Sequence, residues 1–424
     1  MKIGTITSQF IREIPKTDLH VHLDGSLRIS TLIELAQEQR VPLPSYTEAG
    51  LKETVFMDRY NHLGEYLHGF KYTVAVLQTS EALERSAYEL ACDNFAEGVR
   101  YLEVRFAPQL HCRPGLEMVD VLRSVNKGLA RAQSEFNQFP AIASGNEPPF
   151  AYGIIVCAMR MFSASFSEYY RRFSALHSHT PPNRLYGLAS MALAETVVGI
   201  LQDEDLPIVG FDLAGQEDGY PAEDHTEAFK YSHKSFLKKT VHAGEAYGPE
   251  SIFQAITDLH ADRIGHCYHL FSPERIRNQR IKDRRAYVEH LAQYISDRRI
   301  TLEICLTSNL QTMPELNSLE DHNLRKMLDA KLSVSLCTDN RTISNTTVSR
   351  EIELAVKHFD LSPRQLRNIV IYGFKRSFFP RSYLDKRIYV RKIIDYYEKT
   401  EQKYQISSKL PEGVTTDNAE LRDL

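Results

Sequence analysis

The chain has 424 residues, 42% hydrophobic and 25% charged, with a formal net charge of -4. This is ordinary globular composition, long enough for two domains or for one large α/β barrel with insertions. Nothing in the charge balance points to nucleic acid or a membrane surface as a partner, and no run of about 18 apolar residues reads as a membrane span.

Met1 to Lys16 carries no long apolar run, so no secretory signal is expected. Ile6 to Glu13 reads as a short helix before an opening strand that contains Asp18-Leu19-His20-Val21-His22-Leu23-Asp24-Gly25-Ser26. In a strand, residues two apart share a face, so His20 and His22 aim both imidazoles at one point. Ser30 is the expected N-cap of a helix to Gln39, and Val41 to Ser45 is a proline-containing loop. From Arg59 to Glu97 the pattern is helical, with Leu63, Tyr66, Leu67 and Phe70 at helix-like spacing and Gly98 as the stop.

A strand–helix rhythm follows. Strands are expected at Val99 to Ala107, Tyr152 to Ala158, Ile208 to Leu213, Lys239 to Ala243, Asp262 to Cys267, Thr301 to Leu306 and Ser333 to Cys337. Helices are expected at Leu116 to Phe136, Met191 to Gln202, Ala222 to Lys238, Glu250 to Leu259, Asp283 to Arg298, Leu319 to Leu328, Thr346 to His358, Pro363 to Phe378 and Leu384 to Lys403. Several strands are too apolar to have a solvent face, as in parallel sheets covered by helices. With the opening strand, eight βα units predict a (β/α)8 TIM-type barrel, with extra helices between strands one and two and at the C-terminus. Residues 1–404 are expected to form this single domain and 405–424 a polar tail. The six cysteines (Cys92, Cys112, Cys157, Cys267, Cys305, Cys337) form no Cys-x-x-Cys pair. They read as small buried hydrophobes in a reducing compartment, so the expected location is the cytoplasm.

The active site of such a barrel lies at the C-terminal strand ends. There the chain places His20, His22, Asp24 and Gly25; Asp212 to Gly215; His242 to Glu245; His266; Ser308 and Asn309; and Asp339 and Asn340. One at a time these have plain structural roles, such as a core histidine or an Asp helix cap. Together, three histidines and a carboxylate at one face suit zinc. Glu103 and Arg105 share a face of strand two and are expected to form a buried, structural ion pair.

These motifs resemble the adenosine deaminase family: Asp18 to Ser26 (DLHVHLDGS), Asp212 to Gly215 (DLAG), Thr240 to Glu245 (TVHAGE), Arg263 to His266 (RIGH), Glu303 to Thr312 (EICLTSNLQT) and Thr338 to Asn340 (TDN). They occur in the family's order, and the likeness runs from Pro15 to Phe379. The resemblance implies one zinc ion held by His20, His22, His242 and Asp339, with Glu245, His266 and Asp339 as the catalytic groups. It also implies hydrolytic deamination of adenosine, and of 2′-deoxyadenosine, to inosine and ammonia. In the family, the glutamate matching Glu245 protonates purine N1, while the histidine matching His266 orients and deprotonates the attacking water. The implied substrate-facing residues are His22, Asp24, Gly215, Asn340, Tyr66, Leu67 and Phe70. Gly215 would let the backbone approach purine N3. Asp24 would accept a ribose hydroxyl and repel a 5′-phosphate, which favours a purine nucleoside over a nucleotide. No protein partner is implied.

Three positions depart from the family pattern. Asn340 stands where many members have a second Asp, Cys267 where glycine commonly follows the histidine, and Leu306 where proline is common. An Asn amide donates to purine N7 without first needing a proton. The Asn340 change keeps a rival open: a deaminase of adenine, of an N6-modified nucleoside or of a futalosine-type nucleoside. A different amidohydrolase, of the two-metal kind with a carboxylated lysine, fits less well, because no lysine lies at an expected strand end. The complete set of polar groups argues against a binding protein that has lost catalysis.

Overall fold

The computed structural model describes residues 5–408. Eight parallel strands run in the order β1 (Lys16–His22), β2 (Val99–Phe106), β3 (Ala151–Met159), β4 (Ile208–Ala214), β5 (Lys238–Ala243), β6 (Arg263–His266), β7 (Thr301–Ile304) and β8 (Ser333–Leu336). Helices lie between them, giving a (β/α)8 barrel. All eight residues of β2 and all seven of β4 are buried, because helices cover the outside while side chains fill the interior. The ring closes just beyond β8. There Asp339 N–H donates to the His20 carbonyl at 2.8 Å, and His22 N–H donates to the Asp339 carbonyl at 2.8 Å. Closure therefore sets His20, His22 and Asp339 side by side, although more than 300 residues separate them in the chain.

Part of the barrel interior is ionic. Glu303 on β7 accepts from His20 Nδ1 (2.9 Å), Arg105 (2.8 Å), Thr240 (3.0 Å) and Arg263 (2.6 Å). The expected Glu103–Arg105 pair does not form. Glu103 pairs with Arg263, and Arg105 pairs with Asp212 and Glu303. Alternation gives the two residues one face, but they lie two positions apart along β2, and each meets a different neighbour across the barrel. Buried charges persist only when paired, and removing one member of such a set costs about 3–5 kcal/mol.

The helical run expected from Arg59 to Glu97 is three helices, Leu63–Leu67, Phe70–Val76 and Ser80–Ala96, the last capped by Thr79. Helix Ile29–Gln39 starts one residue before the expected Ser30 cap and has Arg28 at its N-cap. Leu306 belongs to helix Leu306–Thr312 and not to a strand. The span 319–328 is split into a 3-10 turn, Leu319–Asp321, and a helix, Leu324–Asp329. Helices Glu48–Thr54, Pro140–Ala143 and Glu168–Leu176 were not expected. Helix Pro182–Asp203 begins well before Met191, and by length and composition it is apolar enough to cross a bilayer. In the fold it packs on β3 and on helix Thr226–Lys234, burying Ala189, Leu193, Ala194, Val197 and Ile200. The described cysteines are free thiols, all buried except the half-buried Cys92. Of the expected polar tail, residues 409–424 lie outside the described residues.

Candidate functional site

His20, His22, His242 and Asp339 converge at the C-terminal strand ends, with one ligand atom from each lying within 4.8 Å of the others. His22 Nε2 is 3.2 Å from His242 Nε2, His20 Nε2 is 3.5 Å from Asp339 Oδ1, and His22 Nε2 is 3.6 Å from the same oxygen.

The ring nitrogens facing away from this point are held. His20 Nδ1 lies 2.9 Å from Glu303, and His242 Nδ1 lies 3.1 Å from Asp212. Each Nδ1 therefore carries the proton and donates to a carboxylate, which leaves Nε2 with a lone pair turned inward. Buried His20 Nε2 has no hydrogen-bond partner among the described residues. His22 Nε2 lies within hydrogen-bond reach of His242 Nε2, and the unpartnered His20 Nε2 and the Asp339 carboxylate turn electron density towards the same point. The residues thus fit a cation. Burial, first of all, lowers the pKa of His22 and His242, which keeps these imidazoles neutral. His20 runs the other way: burial and Arg105 pull its pKa down, but the Asp339 and Glu303 carboxylates beside it outweigh them. For Asp339, burial is outweighed by His20 beside it and by the other facing histidines, so its carboxyl lies far below the usual range. Its second oxygen accepts from Ser308 Oγ at 2.6 Å.

His266 ends β6 and Glu245 lies two residues past β5; their side chains approach to 3.7 Å. Both border the four-donor cluster, the His266 ring centroid lying 5.0 Å from that of His20 and 5.3 Å from that of His242. His266, Cys267 and Asp339 all take positive φ, near 60°, 54° and 60°. Bulky side chains rarely adopt this left-handed region, and such strain clusters at functional sites. Glu245 is buried, and burial, reinforced by the negative charges of Asp339 and Glu217, pushes its pKa well above the ordinary carboxyl value.

Asp24 is 3% exposed, and its Oδ1 has no partner among the described residues. Burial raises its pKa to about 7. Gly215 takes φ +97°, which supplies the reason for glycine there. Asn340 lies against Gly25, where a Cβ would sit 1.7 Å from Asn340 Oδ1. Its Nδ2 is 2.7 Å from the Tyr66 hydroxyl, which also meets Ser344 Oγ at 2.8 Å. Tyr66 is thus anchored to Asn340, while Phe70 brings its ring to 6.3 Å from His22. Leu63 and Leu67 pack, partly buried, against the main core.

Several members of the site have no role that the sequence assigns. Asp212 and Glu303 hold the ligand histidines. Arg160 is fully buried and donates to the His242 carbonyl at 2.7 Å. Glu217 accepts the successive backbone N–H groups of Gly244 (2.9 Å), Glu245 (3.0 Å), Ala246 (2.6 Å) and Tyr247 (3.0 Å), and the Ser251 hydroxyl at 2.5 Å. The loop carrying Glu245 is pinned by one carboxylate. Asp212 and Ser308 stood among the expected strand-end groups without assigned roles. Glu217 follows the DLAG motif by two residues, and its spacing alone pointed to nothing.

A family model described as adenosine deaminase matches residues 15–181 and 183–395. An "Adenosine deaminase 1" of Streptomyces coelicolor is 34% identical over 372 residues, covering 87% of this chain and 84% of the relative. A "Probable adenosine deaminase" of Dictyostelium discoideum is 33% identical over 374 residues; these span 88% of this chain but 42% of that longer protein. Among solved structures, an Arabidopsis N6-mAMP deaminase superposes with a TM-score of 0.68 at 24% identity, over 91% of this chain and 99% of its own, a likeness of fold.

Proposed function

The chain belongs to the adenosine deaminase family, and from that premise we propose that it is a zinc-dependent hydrolytic deaminase converting adenosine, and 2′-deoxyadenosine, to inosine and ammonia. The observation that carries the reading is the four-donor cluster of His20, His22, His242 and Asp339 beside a buried Glu245 whose pKa burial raises. Zinc binds nitrogen and carboxylate ligands at 2.0–2.2 Å in a tetrahedron, whose edges are then about 3.3 Å. The His22–His242, His20–Asp339 and His22–Asp339 separations of 3.2, 3.5 and 3.6 Å lie near that edge. Zinc held there by His20, His22, His242 and Asp339 would supply Lewis acidity and lower the pKa of water towards about 7.

The chain's own groups do the rest. Glu245, kept neutral by burial, has a proton to give to purine N1, and this draws electron density from C6. Its loop cannot drift, because Glu217 holds four consecutive N–H groups of it. His266 and Asp339 flank the same point and orient the attacking oxygen. Asp24, with a buried unpartnered oxygen, accepts a ribose hydroxyl. Gly215 brings backbone against the purine edge, and Phe70 and Leu67 supply apolar cover. Asn340 faces N7 if its amide turns so that Oδ1 accepts from Tyr66 and Nδ2 is released, which keeps both groups satisfied.

The rival with a specific observation behind it is a deaminase of another aminopurine. Asn340 is tied to Tyr66, so the N7 side of the pocket is built differently from one that presents a carboxyl. Relative rates on adenosine, 2′-deoxyadenosine, adenine and AMP decide. Preference for adenosine supports the reading; a clear preference for adenine or AMP rejects it.

A further inference from the structure

We propose that Asn309 and His322 are positioning residues that fix His266 as its Nε2–H tautomer, making it a hydrogen-bond donor towards the reaction centre and not a base. This rests on the deaminase reading for its catalytic meaning, but the tautomer itself follows from a chain of hydrogen bonds.

The chain starts at a donor whose direction is not in doubt. Leu324 backbone N–H donates to His322 Nδ1 at 3.0 Å. His322 Nδ1 is therefore a lone pair. His322 is fully buried, and burial pushes its pKa down to about 3, so the ring is neutral and its single proton sits on Nε2. That Nε2–H points at Asn309, 3.2 Å from Oδ1. Only the carbonyl oxygen of an amide accepts, so the orientation of Asn309 is settled by His322. The amide nitrogen is then left facing His266 Nδ1 at 3.2 Å. Nδ2 only donates, so His266 Nδ1 must accept, and the His266 proton is on Nε2.

Two alternatives fail on the same geometry. The Nδ1–H tautomer would set N–H against N–H across 3.2 Å, and a doubly protonated ring would do the same. Turning the amide over would rescue that contact only by facing NH2 at His322 Nε2–H. All three groups are buried, so water cannot relieve either clash. The relay is built from distant pieces: His322 lies in the loop after the 3-10 turn Leu319–Asp321, Asn309 on helix Leu306–Thr312, and His266 at the end of β6.

The consequence is a division of labour. An imidazole with Nδ1 accepting and Nε2 protonated has no free lone pair, so His266 orients and stabilises a developing negative oxygen. Any proton taken from the attacking water then goes to a group other than His266.

The test uses full-length protein labelled with 15N-histidine. Long-range 1H–15N spectra report the tautomer of each ring, with the His266 resonances assigned by their absence from H266Q. In the wild-type protein His266 should read as neutral, with unprotonated Nδ1 and protonated Nε2. In N309D, a near-isosteric change, the carboxylate accepts from both rings and the His266 proton should move to Nδ1. A misplaced imidazole proton should lower kcat by roughly 100-fold or more, with KM changed much less. A wild-type His266 protonated at Nδ1, or N309D protein with an unmoved tautomer, would overturn the proposal. The spectra read the tautomer whatever the substrate proves to be, so failure of the relay and failure of the adenosine assignment remain distinguishable.

Discussion

Asp212→Asn tests whether the carboxylates behind the histidines set metal affinity. Asp212 Oδ1 accepts Leu213 N–H at 2.8 Å and lies 3.2 Å from His242 Nδ1, while Oδ2 accepts Arg105 Nη1 at 3.0 Å. Its carboxyl is held far below the usual range: burial opposes ionisation, but His242 and Arg105 outweigh it. An asparagine has one acceptor for these three donors. With NH2 at the Oδ2 position, a donor faces the Arg105 guanidinium. With the amide turned, NH2 faces His242 Nδ1, the His242 proton moves to Nε2, and the lone pair meant for the metal is lost. In both orientations a buried donor is left unmatched, which costs about 1–3 kcal/mol. Loss of such an outer carboxylate weakens metal affinity about 10–100-fold. Zinc affinity should be measured by competition with a chromophoric chelator, on D212N protein whose circular dichroism matches the parent. Unchanged affinity in folded D212N would refute the reasoning.

Three further outcomes follow from the same geometry. Glu245→Gln should cut kcat about 10²–10⁴-fold, the range for a positioned general acid, while the zinc content stays that of the parent; near-parental activity rules out Glu245 as the proton donor. Asp24→Ala should weaken adenosine binding about 10–100-fold, as expected for a lost hydrogen bond to a charged group, and leave adenine binding almost unchanged; equal losses would return Asp24 to a turn residue. Buried Glu351, bonded to Thr307 and to Thr346 Oγ1 at 2.6 Å, has its pKa raised to about 7 by burial against those bonds. Its protonation stabilises the fold fully below the unfolded value of about 4.5, and that contribution is lost as pH rises through 7. The stability difference between parent and E351Q should therefore shift against the parent by up to about 3 kcal/mol from pH 4.5 to 8, read by urea unfolding; a difference independent of pH would show that Glu351 does not titrate there.

The barrel was legible because parallel strands buried on both faces leave a plain apolar rhythm, and because chemistry gathers at their C-terminal ends. His20 and His22 were legible as a pair because strand geometry alone aims them together. What held them was not legible. Glu303 is 283 positions from His20, and its partners are set by the stagger of the barrel. The same stagger overturned the Glu103–Arg105 pair, since alternation names the face of a residue and not its neighbour across the interior. Between residues 59 and 97 periodicity survived, but Gly69 and the Leu77–Thr79 break divided the helix. His322 sits in a loop without a motif, so its link to His266 through Asn309 emerged only in three dimensions.

The proposed reaction removes the 6-amino group of adenosine with a metal held by three histidines and Asp339. The most direct measurement is spectrophotometric conversion of adenosine to inosine by full-length protein, before and after metal is stripped with a chelator and again after zinc is restored. Robust conversion is expected, with its loss on stripping, its recovery with zinc, and slower turnover of adenine and AMP under the same conditions. Conversion that persists in metal-free protein, or a zinc-loaded protein that leaves adenosine intact while deaminating adenine or AMP, would contradict it.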